Sequence, residues 1–123
     1  MIIAEIGINA NGSVEDAIKL ITMAKDCGCD AVKFQKRNID SVYEVDFLKE
    51  KRESPWGTTQ REQKEGLEFS SEDFSHIDSY CKQLGIDWFA SAWDITSQIF
   101  LKKFDLKYLL IAISLPLNAI SRD

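Results

Sequence analysis

The arrangement that most constrains this chain is strand, helix, strand within its first 35 residues. Ile2 to Gly7 alternates as a short apolar strand, with Ile2, Ala4 and Ile6 on one face and Ile3, Glu5 and Gly7 on the other. Ile8-Asn9-Ala10-Asn11-Gly12 is a turn sequence. Ser13 opens a helix, with Asp16 placed as in a capping box, and Ala17, Leu20, Ile21 and Ala24 form its apolar stripe. Gly28 supplies a stop. Ala31-Val32-Lys33-Phe34-Gln35 then reads as a second, buried strand. A helical crossover of this length permits parallel pairing.

The same unit recurs. Ser70 or Ser71 starts a helix whose stripe is Phe74, Ile77, Cys81 and Leu84, ended by Gly85. Ile86 to Ala92 is a third strand, Asp94 starts a helix through about Lys103 with Ile95 and Ile99 inward, and Leu106 to Ile111 is a fourth strand. Alternating β and α elements imply an α/β fold, either an open doubly wound sheet or a (β/α)8 barrel. Gly7 to Gly12 is not a dinucleotide fingerprint, and no phosphate-binding P-loop follows any strand. Four strands make the N-terminal half of a barrel, about four βα units, where a whole one needs about 250 residues; this chain has 123.

Residues 36–69 break the rhythm. They are charged, carry the turn Ser54-Pro55-Trp56-Gly57 and predict a short helix over Gln60 to Glu65. Their aromatics, Tyr43, Phe47 and Trp56, argue for an ordered excursion at the end of strand two.

Composition excludes several classes. A net charge of −5 disfavours non-specific nucleic-acid binding and anionic membrane surfaces. No apolar run is long enough to span a membrane, and Met1 leads into Ile2-Ile3-Ala4-Glu5 without a basic leader, so the expected location is cytoplasmic. Cys27, Cys29 and Cys81 lack zinc spacing and are expected to be reduced thiols. His76 lies off its helix stripe and is expected at the surface.

Parallel strands present functional groups at their carboxyl ends. Those ends carry Glu5, then Asn9 and Asn11; Lys33 and Gln35; Ser91 and Asp94. A lysine inside an apolar strand is costly without an anionic partner. Lysine with a serine hydroxyl suits phosphate or carboxylate, whereas a carboxylate with amides suits sugar hydroxyls or a reacting carbonyl. A Schiff-base role for Lys33 is a further option. Trp56, Arg61 and Glu65 are candidates to cover such a site; the alternative places Arg61, Glu65 and Glu68 on a solvated helix face, and Trp56 and Trp88 in packing.

Four ordered blocks carry a resemblance: Ile3 to Ser13, Asp30 to Gln35, Ser54 to Gly57 with Arg61 to Phe69, and Asp87 to Asp94. Together they resemble the N-terminal part of the sialic acid synthase family, which includes N-acetylneuraminate, legionaminate and pseudaminate synthases. The resemblance runs from residue 2 to about 108. It implies a (β/α)8 barrel followed by an antifreeze-like domain in a domain-swapped homodimer. It implies condensation of phosphoenolpyruvate with an N-acylated amino sugar to a nine-carbon 2-keto acid and phosphate. A divalent manganese or magnesium ion serves as Lewis acid in that family, its ligands lying in later strands, so no metal ligand is expected in this chain. By the same resemblance Lys33 and Ser91 contact phosphoenolpyruvate, Gln35 lies on the sugar side, and Glu5 hydrogen-bonds near the reacting carbonyl.

Departures from the family pattern are specific. Ala10 stands where the family's first turn usually has histidine. After Lys107-Tyr108 the family tends to a lysine-containing segment, whereas this chain has Leu109-Leu110-Ile111, with Leu110 at the lysine position. Residues 1–108 are thus read as barrel and 109–123 as a divergent tail, from a frameshift or truncated gene model. A half-barrel leaves unpaired edges on its first and fourth strands. On these grounds the chain is expected to be inactive alone, and the alternative function is a non-catalytic remnant or assembly partner that binds an anion or nothing.

Overall fold

The computed structural model describes residues 1–111. Its element order is β1 (Ile3–Glu5), α1 (Val14–Asp26), β2 (Ala31–Lys36), α2 (Ile39–Val42), α3 (Val45–Leu48), β3 (Lys51–Ser54), β4 (Gly57–Thr59), α4 (Gln60–Leu67), α5 (Ser71–Leu84), β5 (Asp87–Ala92), α6 (Ile95–Leu101) and β6 (Leu110–Ile111). The main sheet runs β1-β2-β5-β6, and every pairing in it is parallel. The order never reverses direction, so right-handed crossovers place α1, α5 and α6 on one face. A doubly wound sheet would need a reversal.

One apolar cluster shows that face. Ile6, Val32, Phe34, Trp88, Ala90 and Ala92 of the sheet side meet Ala17, Ile21 and Ala24 of α1, Phe74, Ile77 and Cys81 of α5, and Leu101 of α6. Phe34 is fully buried and meets Phe69 and Trp88 edge-on, at centroid distances of 5.8 and 6.3 Å. The Trp88 indole N–H donates to Asp78 at 2.9 Å, so Trp88 is a packing residue with its polar atom satisfied. The caps follow the sequence: Ser13 and Ser70 accept from Asp16 and Asp73 backbone N–H groups, and Gly85 ends α5 in the left-handed region.

Two expectations are corrected. Ile95 and Ile99 are 80% and 60% exposed; α6 instead turns Ser97 and Leu101 inward. Asp94 caps this helix through the Ser97 N–H, which fixes its rotation. Among the described residues the fourth strand is Leu110–Ile111, paired with Ser91 and Ala92 at the end of β5, so it does not begin at Leu106. The segment before it packs instead: Phe104 and Leu106 lie against the main cluster. Of the divergent tail, residues 112–123 lie outside the described residues.

The excursion is more structured than its sequence suggests. Two single-turn helices precede an antiparallel hairpin, β3 with β4, and α4 carries a full capping box from Thr59 to Glu62. Trp56 in the hairpin turn lies against Gly66, where a Cβ would overlap its ring. Gly12 lies against the Gly66 carbonyl with φ of 70°, and a side chain there would collide with backbone. These contacts seat the end of α4 on the loop between β1 and α1.

Thiol chemistry divides by burial. Burial, reinforced by the Asp78 and Asp87 carboxylates, pushes the Cys81 thiol up to about 12. Cys27 is exposed. An alkylating reagent at pH 8 should modify Cys27 in the native protein and spare Cys81 until denaturant is added. Peptide mass spectrometry reads this directly, and equal native labelling of Cys81 would contradict its burial.

Candidate functional site

The second face of the sheet carries the polar residues. Pairing places Glu5 beside Lys33 and Gln35 beside Ser91, and registered neighbours share a face. Three of the strand ends noted in the sequence are therefore adjacent. The Lys33 ammonium donates to the Glu5 carboxylate at 2.7 Å. The lysine is largely covered while Glu5 is more than half exposed. This resolves the cost of a lysine inside β2: a carboxylate on the neighbouring strand neutralises it. The ammonium keeps two further protons to donate.

The backbone holds Glu5 in place. The N–H groups of Ile6 and Gly7 both donate to the Lys33 carbonyl, at 2.9 and 3.1 Å. Gly7 has φ of 52°, and a Cβ there would press on the Glu5 carboxylate at 3.2 Å. The chain thus leaves β1 through a conformation that glycine adopts without strain.

The loop that follows exposes Asn9 and Asn11 above the strand ends, with Asn11 itself left-handed at φ of 53°. Ala10 is 1% exposed and belongs to the main apolar cluster, so this position serves packing. Asp94 has local work: its carboxylate accepts from the Asn38 N–H at 2.6 Å, the Ser97 N–H at 2.7 Å and the Ser97 hydroxyl at 3.0 Å. It ties the loop after β2 to the loop after β5.

Residues of the excursion sort differently. Arg61 donates to Asp40 at 2.7 Å and Glu65 at 3.2 Å, a network on the outer surface joining α4 to α2. Its guanidinium holds the Asp40 carboxyl below the usual carboxylate range. Glu68 does not belong to that surface. Its side chain is 13% exposed and accepts from Arg37 Nε at 2.7 Å. Sequence reasoning missed Arg37 and Lys64, both buried. The available signal for Arg37 was its position two residues past Gln35, in step with the strand alternation. His76 is exposed, as its helix position predicted.

Among the described residues no three histidine, cysteine, aspartate or glutamate side chains are grouped to hold a metal ion. The residues described here do not fit the divalent ion that the resemblance implies. Nor is any described helix long and apolar enough to cross a membrane.

Residues 20–118 match the NeuB family. The chain belongs to the NeuB family. The N-acetylneuraminate-9-phosphate synthase of Drosophila melanogaster is 40% identical over 112 residues, covering 89% of this chain and 30% of that protein. The N,N'-diacetyllegionaminic acid synthase of Legionella pneumophila is 36% identical over 113 residues, covering 89% and 32%. The NeuB chain described here therefore spans about a third of the length of these relatives. The solved N-acetylneuraminic acid synthetase of Leptospira borgpetersenii superposes with a TM-score of 0.70 at 24% identity, over 88% of this chain and 34% of that one. That likeness supports the parallel α/β fold. By their names, both of these relatives are synthases, one of N-acetylneuraminate 9-phosphate and one of a diacetylated legionaminic acid.

Proposed function

We propose that this NeuB chain forms the first half of an eight-stranded barrel that condenses phosphoenolpyruvate with an N-acylated amino sugar. The observation that supports this reading best is the Glu5–Lys33 pair at adjacent parallel strand ends, with Gln35 and Ser91 one row beyond. Lys33 and the Ser91 hydroxyl hold the phosphoenolpyruvate oxyanions. Gln35 orients the sugar. C3 of phosphoenolpyruvate attacks the open-chain aldehyde, and water adding at C2 leads to loss of phosphate. Glu5 lies where the new alkoxide takes up its proton. The activity belongs to the whole barrel, dimeric by resemblance, and this chain contributes one wall of its site.

Calorimetric titration with phosphoenolpyruvate tests the reading. Lys33→Ala should weaken binding about 10- to 100-fold, the worth of one charge-assisted contact. Unchanged affinity would remove Lys33 from the site.

A further inference from the structure

The polar face continues one row past Gln35 and Ser91. The Trp93 N–H donates to the Lys36 carbonyl at 3.1 Å, so the ladder runs on beyond its last registered pair, Lys36 with Ala92. Strand alternation then returns Arg37 and Trp93 to the face of Lys33 and Gln35. The Arg37 guanidinium carbon lies 5.4 Å from the Trp93 ring centroid and 5.8 Å from that of Tyr43. Arg37 is 6% exposed. Its Nε and backbone N–H are taken by Glu68 and its Nη1 by the Tyr43 hydroxyl. Its Nη2 is buried without an acceptor, and so is the Trp93 indole N–H. Two orphaned donors on touching side chains are an unusual expense in a folded interior.

Charge points the same way. Lys64 is 8% exposed, and its ammonium donates to neutral acceptors, the Gln60 and Gln63 side-chain oxygens at 3.2 and 3.1 Å. It lies 5.1 Å from the Tyr43 centroid, the same ring that flanks Arg37. Burial, and then repulsion from Arg52 and Arg37, lowers its pKa. Arg37 meets the Glu68 carboxylate, whereas the Lys64 ammonium meets amide oxygens. Two covered cations this close together, one of them held by neutral groups, are an arrangement that an oxyanion would suit.

We propose that Arg37 and Trp93, backed by Lys64, form a second oxyanion subsite at the mouth of the site, taking a phosphate or carboxylate group separate from the one at Lys33. This deepens the reading above and rests on it: the second anionic group is carried by a substrate and lies away from the reacting carbon. Tyr43, on the excursion and not on the sheet, is the residue that shifts to admit it.

Inorganic phosphate titrated into the 15N-labelled wild-type chain tests the subsite. The Arg37 Nε and Trp93 indole resonances should move saturably while the Trp88 indole, held by Asp78, stays still. The same shifts should persist in Lys33→Ala. Lys64→Met keeps the side-chain volume and removes a buried charge, so it should fold and bind phosphate several-fold more weakly. Resonances that stay still at tens of millimolar phosphate, or shifts that vanish in Lys33→Ala, would overturn the proposal. Two further titrations separate the sources. Shifts with an N-acetylated amino sugar carrying a terminal phosphate, and not with the unphosphorylated sugar, assign the group to the sugar. Shifts with phosphoenolpyruvate in Lys33→Ala assign it to that substrate. Equal shifts with the unphosphorylated sugar would show a hydroxyl subsite and sink the proposal. Phosphoenolpyruvate bound through Lys33 with no phosphate response at Trp93 would leave the function standing without this subsite. Loss of Lys33-dependent binding would remove the function instead.

Discussion

Phe34→Ala should lower the unfolding free energy by about 3–5 kcal/mol, the usual cost of emptying a buried aromatic position. Phe34 sits on the helix-facing side of β2, the strand with β1 on one side and β5 on the other. Its ring is fully buried and meets Phe69 and Trp88 edge-on. Phe69 and Trp88 in turn both pack on Phe74, at 5.7 and 5.8 Å. Removing Phe34 therefore opens a cavity bordered by the rings of Phe69 and Trp88, both braced by Phe74, which cannot collapse by moving one side chain. A domain of this size has about 5–15 kcal/mol in all, so the variant should be marginal or unfolded. Urea unfolding followed by tryptophan fluorescence gives the number. Phe34→Leu should recover most of the loss. A cost below about 1 kcal/mol for Phe34→Ala would mean that this face of the sheet is not the organising core.

How far the sequence revealed this layout depends on whether a signal is local. The alternation of β2 correctly separated Val32 and Phe34 from Lys33 and Gln35, because a strand's period is a property of the backbone. Adjacent placement of Glu5 and Lys33 followed from parallel pairing of neighbouring βα units. The rotation of α6 was not legible: Ile95 and Ile99 have the correct spacing for a core stripe, yet the Asp94 cap and the packing of Leu101 turn them outward. The hairpin of β3 and β4 was hidden because its strands are charged and short, and β3 is exposed along most of its length. Glu68 reads as part of a solvated helix face with Arg61 and Glu65, and nothing in the sequence marks Lys64. Their burial depends on Arg37, Tyr43 and Phe47, which lie 17 or more residues earlier in the chain. Pairings of that kind have no periodicity to betray them.

Glu68→Ala should be as damaging as the loss of Phe34, by about 3–5 kcal/mol, for an electrostatic reason. Arg37 and Glu68 are both largely covered, with side chains 6% and 13% exposed. The carboxylate accepts from Arg37 Nε at 2.7 Å and from the Arg37 backbone N–H at 3.3 Å. Without it a guanidinium stays buried between Tyr43 and Trp93, with the Tyr43 hydroxyl as its remaining acceptor among the described residues. Lys64, close enough to repel it, makes that state worse. Glu68→Gln keeps a hydrogen-bond acceptor but loses the charge, so it should fall between wild type and Glu68→Ala. Replacing both partners by apolar residues, as Arg37→Met with Glu68→Leu, should recover much of the loss, since no buried charge is then left unmatched. A double-mutant cycle by chemical denaturation measures the coupling. Additive effects would show that the two charges stabilise the excursion independently. A large coupling would make this pair the clasp that fixes residues 37–68 to the ends of β2 and β5, the same strand ends that carry Lys33, Gln35 and Ser91.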